Sequence, residues 1–116
     1  MLVFGRTRPR AQELVTSSDM VVNDRVPVAR VRRDTTGNWM YLSGAETPIS
    51  QPMRVHFGRL AANSPALFTL NLRRGEYALR SMRTDSWHCY GPVSDQEYER
   101  LLETGAIDAQ HADIEA

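Results

Sequence analysis

Five residues of this chain are of types that carry chemistry: Ser43, Cys89 and His88 as nucleophiles or bases, Asp34 and Glu46 as an acid and base pair. Their spacing argues against each use. Ser43 precedes Gly44, but "YLSGAE" is not the strand–Gly-x-Ser-x-Gly–helix turn that exposes a nucleophilic serine, and it reads as a polar strand end. His88 and Cys89 adjoin on a strand-like segment, so their side chains project to opposite faces; Cys89 reads as a small buried apolar residue. Asp34 and Glu46 flank an extended stretch and, at about 3.3 Å per residue, stand tens of ångströms apart. A small hydrolase would require Ser43, His88 and Glu46 to converge in one pocket.

Metal and nucleotide chemistry find no better footing. Cys89 is the only cysteine, which excludes an intramolecular disulfide and a paired-cysteine metal site. His56, His88 and His111 lack the short spacing a helical metal site uses. Neither Gly-x-Gly-x-x-Gly nor a P-loop is present. These residues therefore give little footing for catalysis, with a small hydrolase left as a remote alternative, and neither a metal nor a cofactor is expected.

Charge offers a second kind of chemistry. All fourteen basic residues are arginine, thirteen of them before residue 94, whereas the segment from Ser94 onward holds seven carboxylates against Arg100 alone. Arg30, Arg32 and Arg33, with Arg73, Arg74, Arg80 and Arg83, could form a basic surface for nucleic acid, whose phosphates would supply most of the affinity. That alternative is a regulator on nucleic acid, disfavoured by a pI near 6.8 and by the absence of a recognised binding motif. No apolar run approaches the roughly 18 to 20 residues that span a bilayer, and the opening segment lacks a signal-peptide core, so a soluble cytoplasmic protein is expected.

The elements that must position these residues read as one α+β domain spanning 1–116, with a core over 17–105 and peripheral or flexible ends at 1–16 and 106–116. "DMVVN" and "VPVARVRR" read as strands, the second with Pro27 at its start. "DTTGN" has the chemistry of a hairpin loop, and "WMYLS" returns as a strand apolar on both faces. A short helix near 56–62 is followed by a break and a second turn beginning at Ser64-Pro65. Strands follow around Tyr77–Arg80 and in "SWHCY". Ser94 with Glu97 forms a capping box, and Tyr98, Leu101 and Leu102 an apolar stripe, which predicts a helix over about 95–104 ended by Gly105. An antiparallel sheet with short helices and this capped helix against it is the expected architecture.

The order "SSDMVVND", a strand ending "VRRD" and then "TGNWMYLSGAE" resembles a domain of bacterial polymorphic-toxin systems, the immunity protein thirty-three-like domain, formerly a domain of unknown function. The matching residues are Ser18, Asp19, Val22, Arg33, Asp34, Gly37, Trp39, Ser43, Gly44 and Glu46. The resemblance implies a small α+β domain that is not an enzyme and neutralises a cognate protein toxin by direct binding. On that reading Arg33, Asp34, Trp39, Tyr41, Glu46 and Trp87 are the candidate partner-binding residues, since aromatic and arginine anchors supply most of the affinity of an interface. An exposed strand edge would also allow a homodimer.

Overall fold

Ser18 marks the first change of direction in a computed structural model that describes residues 5–44 and 51–116. The chain runs as β1 (Leu14–Ser18) directly into a one-turn helix α1 (Asp19–Val22), and the Ser18 hydroxyl accepts the Val21 N–H across 3.4 Å. The segment expected to be a strand is thus a capped helical turn. One turn is too short for the β-branched Val21 and Val22 to weigh against it, and the cap plus burial of Val21 decide the conformation.

Five further strands are β2 (Arg30–Arg33), β3 (Trp39–Leu42), β4 (Pro52–His56), β5 (Tyr77–Arg80) and β6 (Trp87–Tyr90). They join β1 in one sheet of order β4-β1-β3-β2-β5-β6. Every neighbouring pair is antiparallel except β1 with β3, which run parallel at Thr16 opposite Met40, so the sheet is mixed where an antiparallel one was expected. The stretch between the two strands, which holds α1 and β2, supplies the crossover that parallel neighbours need.

Alternation along the strands divides the core between two faces. Tyr41, Val31 and Ala78 lie opposite one another and join a cluster with Val15, Phe57, Leu60, Leu67 and Leu72, covered by α2 (Phe57–Asn63) and a 3₁₀ turn (Pro65–Thr69). On the other face Tyr77 and Leu79 pack with Tyr98 and Ile107 from α3 (Asp95–Glu103) and α4 (Ala106–Glu115). The α+β class is as expected, and the molecule has three layers with the sheet in the middle.

Both ends of the chain depart from the expected periphery. Thr7 and Leu72 exchange backbone hydrogen bonds of 3.1 and 2.8 Å, Arg6 forms an ion pair with the buried Glu76 at 2.9 Å, and Pro9 is fully buried. At the other end residues 106–115 are helical. Ile107 is 3% exposed, and the Tyr77 hydroxyl donates to Gln110 at 2.6 Å. Among the described residues no helix is long and apolar enough to cross a membrane.

Candidate functional site

The β2–β3 hairpin gathers four of the six residues expected to bind a partner, and it uses them for its own structure. Asp34 opens the turn: its carboxylate accepts from the Thr36 N–H (3.0 Å), the Thr36 hydroxyl (2.7 Å) and the Asn38 N–H (2.8 Å). Burial alone would raise the pKa of Asp34, but these hydrogen bonds outweigh it and hold the group below its ordinary value. Gly37 adopts φ +97°, the left-handed conformation that the loop needs at that point. Arg33 lies over the Trp39 ring at 4.9 Å and donates to the Thr7 hydroxyl and the Leu72 carbonyl. Its pKa is lowered by burial and then by Arg74.

Trp39 and Tyr41 sit in the core, 7% and 0% exposed, with ring centroids 6.1 Å apart. Neither presents a surface to a partner. Tyr41 continues into Phe57 and Phe68 as a row of rings. Burial pushes its hydroxyl well above the usual phenol range, and that hydroxyl has no hydrogen-bond partner among the described residues. Glu46 falls outside the described residues.

Arg30 and Arg32 of β2 are buried too, which removes these two from any basic surface. Arg30 and Arg32 are each 3% exposed. Arg32 lies 4.4 Å from the Tyr98 ring and donates to the carbonyls of Gly75 (2.5 Å) and Val93 (3.2 Å), and to the Asp95 carboxylate (2.8 Å). Asp95 also accepts from the Thr35 N–H and hydroxyl, and hydrogen bonds from Thr35, then Arg32, lower its pKa. Arg32 therefore staples the hairpin to the first turn of α3, where a carboxylate also suits the helix dipole.

Residues suspected of nucleophilic chemistry do not meet. Ser43 is buried at the end of β3, while His88 is exposed on β6 with its ring nitrogen 3.2 Å from the Ser86 hydroxyl. Leu42, Arg30, Leu79 and His88 form one cross-strand row, so three strand spacings, roughly 14 Å, separate His88 from the neighbour of Ser43. Cys89, on the edge strand β6, is exposed rather than buried. It and His88 do point to opposite faces, as alternation requires. Among the described residues no group of three His, Cys, Asp or Glu side chains could hold a metal ion.

Trp87 lines a concave surface. The first residue of β6, it pairs with Arg80 in register and is half-buried against the main cluster. The loop leaving α1, the α2–3₁₀ junction and the Arg80 end of β5 complete a groove of about 310 Å³, with Leu60, Leu67 and Val28 among its lining residues. Arg25 stands in this lining with φ 55°, a left-handed conformation closed by the Val26 N–H donating to the Met20 carbonyl at 3.0 Å. The local sequence places Arg25 in a two-residue break between "DMVVN" and "VPVARVRR", but nothing there marked it as a groove residue. A second concavity is formed by polar side chains of α3 and its Ser94 cap alone and is a solvated helix flank. Comparisons with protein-family models, curated proteins and solved structures find no match for this chain.

Proposed function

We propose that the chain is a non-enzymatic binding protein of the bacterial cytoplasm that neutralises a cognate toxin by direct protein contact. The resemblance of its hairpin segment to an immunity domain supports this reading, and the observation that carries it is the groove at Trp87. A rigid, well-packed scaffold here leaves one aromatic anchor candidate half-buried at the wall of a concave surface, beside an arginine, the two residue types that dominate binding hot spots. Such a protein needs no reacting groups. It has only to occlude the toxin's active site or hold the toxin in an inactive state.

The test is co-expression in a bacterial host with the large protein encoded by the adjacent gene, scoring survival and co-elution on gel filtration. Survival with a stable complex is the expected result. Continued killing with no complex would refute the pairing. An arginine-surface role on nucleic acid is the weaker reading, because Arg30 and Arg32, which it would use, are buried.

A further inference from the structure

The groove at Trp87 has a chemistry of its own that specifies more than contact. Its lining contains two arginines and no carboxylate. Arg80 is already engaged, donating to Asp85 at 2.5 Å, whereas Arg25 is exposed and forms no ion pair among the described residues. The floor is apolar, from Val28, Leu60 and Leu67. Trp87 stands half-buried in the wall, and its indole N–H is buried with no acceptor among the described residues. The volume is at the lower end for ligand sites, room for one or two side chains rather than a large cofactor.

The conformation of Arg25 adds an independent point. A left-handed φ costs a side-chain-bearing residue about 1–2 kcal/mol relative to the right-handed region, and glycine would sit there without that cost. Asp85 shares this conformation outside the groove, so it is the strain together with the place in the lining that makes Arg25 a candidate contact.

We propose that this groove docks an extended acidic segment of the partner protein, which seats an apolar side chain on Leu60, Leu67 and Trp87 and a carboxylate on the Arg25 guanidinium. The inference rests on the binding reading above and gives the partner's chemistry. Arginine suits the task because its planar fork pairs with a carboxylate through two parallel hydrogen bonds.

A random peptide library displayed on phage and panned on the full-length protein tests this directly, with Arg25→Gly as the comparison because glycine keeps the turn. Enriched peptides are expected to carry Asp or Glu beside an aromatic or large aliphatic residue. They should shift the Trp87 indole signal in NMR and bind Arg25→Gly about tenfold or more weakly, the loss typical of a truncated anchor. No enrichment over background, enriched peptides without acidic residues, or equal binding to Arg25→Gly would each overturn the proposal. So would displacement of the peptides by a single-stranded oligonucleotide of matching affinity, which would assign the groove to nucleic acid. Co-expression separates the two readings: protection by wild type and Arg25→Gly alike leaves neutralisation standing and removes the groove from it, whereas acidic-peptide binding without protection removes neutralisation alone.

Discussion

At the scale of single residues, Asp34 shows how a candidate binding group turns out to be structural. It was singled out by its place beside the hairpin, and three hydrogen bonds to residues within four positions account for it. Asp34→Ala should lower stability at neutral pH by about 1–2 kcal/mol, the worth of charge-assisted bonds at a half-exposed site. The folded pKa lies below the unfolded one, so the stabilisation is complete above the ordinary carboxylate range and is lost as pH falls through the depressed folded value. Thermal denaturation should therefore show wild type and Asp34→Ala converging below about pH 4; a constant gap between them would refute the assignment. Tyr41 gives the opposite case. Its buried hydroxyl has no partner among the described residues, so Tyr41→Phe should be neutral or raise stability by up to about 1 kcal/mol in urea denaturation, and a clear loss would reveal a bound water or other partner at that oxygen.

At the scale of elements, α4 carries the sharpest test. The sequence after Gly105 reads as frayed because it has no side-chain cap and only a diffuse apolar pattern, and residues 106–115 nevertheless form a helix. Packing supplies what propensity lacks: Ile107 completes the cluster around Tyr77 and Leu79, and His111 approaches the Arg80 carbonyl at 2.7 Å. Gly44 belongs to the same contact, because a Cβ there would come within 2.8 Å of the His111 ring. Ile107→Ala should cost about 2–4 kcal/mol, as for other large-to-small core changes. A loss below about 0.5 kcal/mol, the range of surface substitutions, would mean that α4 is only loosely docked. The α3 helix and the β2–β3 hairpin were legible for the contrary reason, that Ser94, Glu97 and the Asp34–Asn38 turn carry their signals within a few residues. The α1 turn was not, since the three-residue apolar run of Met20, Val21 and Val22 fits strand or helix equally and only the Ser18 cap in three dimensions decides it. The groove was out of reach for a related reason: α1, α2, β5 and β6 meet there, and a strand order with β1 inserted between β3 and β4 leaves no local trace.

At the scale of the whole molecule, the neutral total conceals a separation that the fold makes spatial. All seven carboxylates after Ser94 lie on α3 and α4, and those helices cover the sheet face opposite the groove. Part of that charge is spoken for, with Asp95 on Arg32, Glu97 on Arg100 and Glu115 accepting the Met82 N–H at 2.5 Å. A sheet and the layer packed on it are about 10 Å apart, about one Debye length at 0.1 M salt, so the acidic layer acts on a ligand at Arg25 more weakly than the guanidinium it touches. An acidic segment thus meets the local field of the groove rather than the net charge of zero. Its association rate should fall with ionic strength even though the protein is formally neutral, while its dissociation, governed by the buried apolar contact at Trp87, should change little. Stopped-flow measurements with a library-selected peptide between about 0.02 and 0.5 M salt, a range over which the Debye length shortens severalfold, read both rates. The slope of the association rate should shrink in Arg25→Gly. An association rate flat in salt for wild type would show that the whole-molecule charge, not the groove, sets the encounter, and would leave Arg25 without the steering role its position confers.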